Sequence, residues 1–585
     1  MKFLKKLMVM AMAFVLTASA VACGNGIGGE DKPVVRDPSD TSDYKMNELT
    51  TIRVGLSWNA DWYYDGIDHQ NNPVYTLYEE AENIKVINDF ALPWDGYDNQ
   101  ISNGFLTGKI PDAFFADQGM LDELIRNDMI VDMKPYYDIW GTEELKETLG
   151  YNDNKNFAYA ERDGKLYGIP AISDDCDRPI LWIRSDWLAE LNSRAIPAGE
   201  TMYDTQNNLR FHVDGPKTID EFWDMAYAFA LEDPDGDGQK NTYGLSLSKY
   251  LDDLSLPIFN AYGAYPDVIE KQEDGSYKNL ALEPEMVKPL EMLQQAVRDY
   301  VIPPDYYNYD GQAGLSKAGD GVIGMAFAVP YSPLWPLNNA LSNNSEAEWT
   351  AAPMITADGS DFIPSRTLNA TGYYVVRKGY EHPEVVIKML NNMACQDPEN
   401  EWYQGKILID SDPKNSNAIN WMPIRLDRST VNFERSTAVV HAIDAYEETG
   451  EFDESLIAPA DMPTWNQVKA YYLSKSFATY PQGWAYFKTW YEGVPIAKSY
   501  HAEGEPDGAS GKFTDWIYPP TNTLKKKGSS LEEITNTYRI QIISDKVKDS
   551  SGKSIPVAQA HAQFVEAWQN GGGGQVLLEM QRAGY

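Results

Sequence analysis

The chain has 585 residues, 43% of them hydrophobic, and a formal net charge of −38 at pH 7. A surface this negative repels phosphate backbones and anionic lipid, which argues against nucleic-acid binding and says nothing of the local charge in a cleft. A single hydrophobic core stops growing at about 250–300 residues, so this length calls for two lobes or domains.

The chain opens Met1-Lys2-Phe3-Leu4-Lys5-Lys6, a short basic segment, followed by an apolar run from Leu7 to Ala20. That run falls short of the ~20 apolar residues a spanning helix needs. It ends in Ala20-Val21-Ala22 directly before Cys23, the layout of a secretory signal over residues 1–22. A cysteine at the cleavage point resembles the lipobox of bacterial lipoproteins, although Ala20 stands where a leucine more often opens that box. The resemblance implies a lipid anchor, palmitate included, on Cys23 and a protein held at the outer face of the cell membrane. Residues 23–48 are rich in Gly, Asp, Pro and Ser, which reads as a flexible tether. Of the three cysteines, Cys176 and Cys395 remain. No CxxC pair exists, so zinc ribbons and thioredoxin-like chemistry have no support; whether these two pair is left open by spacing, and free thiols are expected.

In chain order, Thr51–Leu56 alternates apolar and polar and reads as a strand. A helix is expected near Val74–Glu82, a strand over Ile84–Phe90, a helix over Tyr97–Thr107, and a buried strand over Pro111–Asp117. Leu121, Leu124, Ile125 and Met129 then fall at helical spacing. Such alternation predicts an open α/β sheet of mainly parallel strands, with ligand bound beyond their carboxyl ends. Trp58 follows the first strand, and Asp117 and Gln118 follow the third. Asp163–Pro170 reads as a turn feeding an extended segment, and Ile180–Ile183 as a strand. Thr218-Ile219-Asp220-Glu221 has the form of a capping box. Strands are expected at Gly319–Phe327 and Thr371–Arg377, with a helix opening at Pro383. The last third is mostly helical in pattern, and Gly571–Gly574 breaks its final helices.

Four segments in this order carry a resemblance: the Cys23 lipobox; Asp163–Pro170 with Leu181–Leu188; Pro216–Phe222 leading into Asp233–Gly238; and Gly372–Glu384. Together they resemble the family 1 extracellular solute-binding proteins, especially the long LipO-like lipoproteins that serve ABC sugar importers. The resemblance implies a two-lobed periplasmic-binding-protein-like α/β fold with a hinge between lobes. The chain would cross between lobes near residues 170–180 and again near 360–372. The first lobe would hold 49–170 plus about 371–420, and the second about 180–360 plus about 421–585. It further implies an oligosaccharide ligand, ABC permease subunits as partners, a membrane touched only through the lipid anchor, and a monomer.

Asp233, Asp235 and Asp237 alternate ahead of Gly238, Gln239 and Asn241, the spacing of an EF-hand calcium loop. The bidentate Glu expected at position 12 is absent, Gly244 standing there. The resemblance offers a shorter loop closed by Asn241 and Thr242, with calcium in a structural role; the alternative is a solvated acidic turn.

Aromatic residues make up 12% of the chain, and aromatic walls with a few placed polar groups suit sugar rings. By position, Trp58, Trp62, Tyr331 and Trp335, with Trp402 and Trp421 on looser grounds, are candidates for the ligand wall, set against the ordinary reading of each as core. Asp117, Gln118 and Arg184 are the candidate polar contacts, and one of Asp174, Asp175 and Asp177 near the first crossing could join them. No GxSxG, HExxH, Walker or GxGxxG motif occurs, and no catalytic set is expected. A peptide-binding lipoprotein, a glycan-degrading enzyme and a surface adhesin or sensor partner remain alternatives.

Overall fold

The computed structural model describes residues 34–58, 62–150, 154–172, 178–366, 370–415, 418–426, 429–500 and 511–584. Cys23, Cys176, Asp174, Asp175 and Asp177 lie outside them. The chain from Ser39 onward forms one unit.

The chain opens with strand β1 (Thr50–Ser57), helix α1 (Pro73–Glu82), β2 (Ile84–Leu92), α2 (Trp94–Thr107), β3 (Ala113–Ala116) and α3 (Gln118–Arg126). After β4 (Ile169–Ile172) and β5 (Ile180–Arg184) come α4 (Ile219–Leu231), β6 (Tyr243–Leu245), β7 (Ile323–Ala328), β8 (Trp349–Ala352) and β9 (Ala370–Val376). Among the later helices are α5 (Glu384–Ala394), α6 (Ser429–Thr449) and α7 (Asn522–Ile543). The capping signals explain several starts. The side-chain oxygens of Asn72, Asp117 and Thr218 each accept from an early backbone N–H of the helix they open, a cap worth about 1 kcal/mol. The capping box departs from expectation in one respect. The Glu221 carboxylate reaches past Thr218 to the backbone N–H groups of Lys217 and His212.

Two sheets result. The first runs β2-β1-β3-β9-β4 and the second β8-β5-β7-β6. Both are mixed, where mainly parallel strands were expected. β1 lies parallel to β2 and β3, but β9 runs antiparallel to β3 and β4. In the second sheet β7 is antiparallel to β5 and parallel to β6. The reason is connectivity: β9 comes from the second sheet's side of the chain and enters the first sheet from the end at which β4 leaves it.

The second sheet is covered on both faces. Leu181 and Ile183 join one core with Phe222, Phe229 and Phe327, while Ile180 and Trp182 join another with Trp349, Trp465 and Trp484. The two-residue period of a strand sends neighbours to opposite faces, so all four residues of this run are fully buried. In the first sheet, Asp112 is 4% exposed and joins two strands. It accepts from the backbone N–H of Arg53 at 2.9 Å and from Nε of Arg377 at 2.9 Å.

The expected flexible tether ends earlier than residue 48. From Ser39 to Asn47 the chain is strapped onto α5. Lys388, fully buried, donates to Asp40 at 2.7 Å and to the carbonyls of Ser42 and Lys45 at 2.7 and 2.9 Å. Asn391 and Asn392 donate to the carbonyls of Asp43 and Tyr44. Three polar side chains on one helix satisfy a loop whose own composition could not order it. Near the C-terminus, the glycine run breaks the last helices as expected: Gly572, at φ 126°, is non-helical and marks the kink between them. Among the described residues no helix is long and apolar enough to cross a membrane.

Candidate functional site

Strand direction places the site. β1, β3 and β4 share one direction, so Trp58, Asp117 and the departure of the chain after Ile172 all lie at one edge of the first sheet. Ala370, where the chain returns, pairs with Ile172 at that same edge. In the second sheet Ala328 pairs with Ile180, and Ala352 with Leu181. The loop after β7, carrying Tyr331 and Trp335, therefore starts where the chain enters and leaves this sheet. Both sheets turn toward the crossing segments the edges that bear these aromatic residues.

At the first edge an aromatic cluster is assembled from two distant parts of the chain. Trp58 extends the β1–β2 pairing through its N–H to Leu92 O at 2.8 Å. Its ring stacks against Tyr63 at 6.4 Å and meets His69 edge-on at 6.2 Å. Tyr63 stacks on Trp421 at 5.9 Å, and Tyr64 tilts against Trp421 at 6.4 Å while donating to Asn415 Oδ1 at 3.0 Å. Trp421 is fully buried, and its Nε1 donates to the carbonyl of Trp62 at 2.9 Å. Two polar atoms of the cluster, Trp58 Nε1 and Tyr63 Oη, are buried without a partner among the described residues. Such groups cost about 1–3 kcal/mol each when left unpaired. Burial, and after it the charge of Asp68, pushes the Tyr63 phenol up, so it remains a hydrogen-bond donor at any ordinary pH.

Asp117 is exposed at this edge and already accepts from Met120 N at 2.7 Å as the cap of α3. Gln118 is exposed, with its carbonyl accepting from Tyr159 Oη. Asp98 on α2 stands nearby: burial first, and the charge of Asp117 second, raise its carboxyl. Nothing in the sequence singles Asp98 out, because only the parallel alignment of β1 and β3 brings α2 beside the start of α3.

At the second edge Trp335 is 51% exposed, and Tyr331 meets Trp490 edge-on at 5.5 Å. Trp490 belongs to a π-helical turn, Lys488–Gly493, of the kind frequent at functional positions. The Arg435 guanidinium lies 4.9 Å from its ring centre and is held by Asp461 and Asn432. Trp490, Arg435 and Tyr63 are missed by sequence reasoning, since each depends on contacts with other elements: Tyr63 with Trp421, Trp490 with Tyr331, and Arg435 with Trp490.

Two candidates occupy other places. Arg184 lies at the far end of β5 from the crossing edge and is 2% exposed. It grips Asp186 with two bonds of 2.8 and 2.6 Å, donates to Gly321 O and covers the Trp187 ring at 4.3 Å. Trp402 is 3% exposed and stacks on Tyr78 at 4.5 Å. Both are fully engaged in the body.

The acidic loop after α4 brings one carboxylate oxygen from each of Asp233, Asp235 and Asp237 within 4.8 Å of one another. Asp233 Oδ1 is buried with no partner, and burial, followed by the neighbouring aspartates, raises the Asp235 carboxyl. Gln239 N and Asn241 Nδ2 donate to Asp237 at 2.7 and 2.9 Å. Thr242 turns the other way: its hydroxyl is buried and donates to Phe229 O on α4 at 2.9 Å. The missing glutamate at position 12 has a packing cause. A Cβ on Gly244 would come within 2.0 Å of Ala226 O, so β6 could not lie against α4 with any side chain there.

No family model matches the chain. It is 34% identical over 116 residues to the polygalacturonan/rhamnogalacturonan-binding protein YtcQ of Bacillus subtilis (strain 168), covering 19% of this chain and 17% of that one. It is 29% identical over 105 residues to lipoprotein LipO of the same organism, covering 18% and 17%. The matched stretches thus span about a sixth of those relatives. Among solved structures, the alginate-binding protein AlgQ2 superposes with a TM-score of 0.54 at 15% identity, covering 93% of this chain and 99% of AlgQ2. The S. pneumoniae ABC-transporter substrate-binding protein FusA, in complex with kestose, gives 0.52 at 15% identity, covering 91% and 98%. The chain thus has the α/β fold of these solved binding proteins, with two mixed sheets. Its sequence similarity to YtcQ and LipO is confined to those stretches of 116 and 105 residues.

Proposed function

We propose that this protein binds an oligosaccharide or a stretch of polysaccharide in the cleft between its lobes and delivers it to the permease of an ABC importer by hinge closure. The observation that carries the reading is the pair of aromatic edges facing the crossing segments, one of them holding the unpaired donors Trp58 Nε1 and Tyr63 Oη. Flat apolar rings beside buried donors match the C–H faces and hydroxyls of a sugar. Trp58, Trp62, Tyr63, Asp117 and Gln118 are assigned to the wall of the first lobe, and Tyr331 and Trp335 to the second. The names of YtcQ, AlgQ2 and FusA support a glycan as cargo. The lobes take in 49–170 with about 371–420, and about 180–360 with the C-terminal helices; Trp421, packed on Tyr63, goes with the first lobe. Lipidation at Cys23 would hold the protein to the outer face of the membrane.

Calcium is assigned to the acidic loop, held by the carboxylates of Asp233, Asp235 and Asp237 and the backbone carbonyl of Gln239. The orphaned Asp233 oxygen and the crowding of three carboxylates fit a hard cation. FusA has itself been solved as an EF-hand mutant. The loop's distance in topology from the crossing edge makes the role structural.

The test is thermal unfolding against acidic and neutral oligosaccharides and short peptides at fixed calcium. A ligand at 100 times its dissociation constant adds about 2.7 kcal/mol to stability. Stabilisation by one glycan class alone is the expected result; stabilisation by peptides alone would overturn the assignment.

A further inference from the structure

We infer that Lys525 and Asp122 form an electrostatic clasp between the two lobes that sets how readily the cleft opens, an inference that rests on the hinged-binding reading above. Asp122 lies on α3, just over one turn beyond Asp117 and Gln118 at the ligand edge of the first lobe. Lys525 lies in the first turn of α7, whose Ile542 and Ile543 are buried in the second lobe's core with Leu293 and Phe327. Lys525 Nζ stands 3.1 Å from Asp122 Oδ2 across the gap between them.

The start of α7 is an unfavourable place for a cation, because the helix dipole puts partial positive charge there. Yet Lys525, Lys526 and Lys527 follow one another with no acidic residue in the first turn. A partner on the opposing lobe accounts for the placement of Lys525. The other carboxylate oxygen, Asp122 Oδ1, is bonded to Arg162 Nη2 at 3.2 Å within the first lobe. Side-chain exposures are 11% for Asp122, 20% for Arg162 and 39% for Lys525. When the lobes part, Lys525 passes into water and Asp122 keeps Arg162. Neither state leaves a buried charge alone, so the clasp avoids the penalty that makes fully buried pairs costly to break. Its part-exposed member makes it sensitive to high salt, because the screening length falls from about 10 Å at 0.1 M to about 3 Å, the length of the pair itself, at 1 M.

Small-angle X-ray scattering on the full chain without ligand tests this, comparing wild type with Lys525→Met, Asp122→Asn and the control Lys526→Met at low and high sodium chloride. The N-terminal segment is common to all four and cancels. Wild type and the control should expand as salt rises. Lys525→Met and Asp122→Asn should already show the larger radius of gyration at low salt and lose the salt response. A radius and salt response unchanged in Lys525→Met, or shifted equally by Lys526→Met, would overturn the clasp. Because the readout needs no ligand, failure of every glycan in the thermal panel would leave the clasp standing and remove only the cargo assignment.

Discussion

Trp421 Nε1 donates to the carbonyl of Trp62 at 2.9 Å, joining residues 359 positions apart. That bond and the Trp421–Tyr63 stack fix the loop after β1, so the first aromatic edge is held by the chain that returns from the second sheet. Truncating Trp421 to alanine should cost about 3–5 kcal/mol, as for other buried aromatics, and would confound binding with folding. Tyr63→Phe is the cleaner probe. Its hydroxyl is unpaired and buried, so the unliganded protein should melt at the same temperature or higher. Glycan affinity should fall about 3- to 10-fold, the worth of one net hydrogen bond. Titration calorimetry alongside a melt checks both; a lower melting temperature with unchanged affinity would make Tyr63 purely structural.

Removing calcium should lower the melting temperature, because three carboxylates within 4.8 Å repel one another without a cation. Asp235→Asn should weaken calcium binding and shrink the difference between melts with calcium and with chelator. Gly244→Glu, which would supply the absent twelfth ligand of an EF-hand, should destabilise the protein by about 1–3 kcal/mol through overpacking. The obstruction is the backbone of Ala226, which cannot swing aside.

Lys388→Met should free the strap over residues 39–47. Breaking a trapped buried pair costs about 3–5 kcal/mol. Here Asp40 can peel into water with its segment, so the global loss should be smaller, about 1–2 kcal/mol, and the effect local. Hydrogen exchange should quicken at 39–47 and at Trp140, whose indole donates to Asp40 at 2.7 Å. Unchanged protection there would mean that other contacts hold the strap.

Glu82 is fully buried with both carboxyl oxygens unpaired. Burial pushes its carboxyl well above the usual range, with the nearby Asn392 amide pulling the other way. A folded-state value raised above the unfolded one means the native chain binds the proton more tightly. Stability is then full below the unfolded value, about 4.3, and falls as pH rises from there toward the folded value, by up to about 1.4 kcal/mol per pH unit. Glu82→Gln removes this term. The variant should melt close to wild type near pH 5 and above it at pH 8; equal melting at both would show that the carboxyl finds a partner when ionised.

The strands and helices up to α3 were legible because period-two and helical spacing reflect burial on one face, which is a local property. The same holds for the cap at Thr218 and for the acidic loop, whose oxygens are supplied by one short stretch of chain. The mixed order of both sheets was not legible: whether β9 enters parallel or antiparallel depends on which end of β4 the returning chain meets, and no local pattern encodes that. Arg184 and Trp402 show the same limit. Their residue types suit a ligand, but Arg184 falls at the far end of its strand and is satisfied by Asp186 two residues on.

By itself, then, the sequence determined the class of fold, the acidic surface, the loop at Asp233–Asp237 and the positions of Trp58, Asp117 and Tyr331 after their strands, because each rests on composition or short-range spacing. Tertiary structure alone decided that Tyr63, Trp421 and Trp490 stand beside them, that residues 39–47 are fastened by a buried lysine, and that Asp122 meets Lys525. These pairings join segments about 160 to 400 residues apart, set by strand direction and crossing geometry rather than by any local preference.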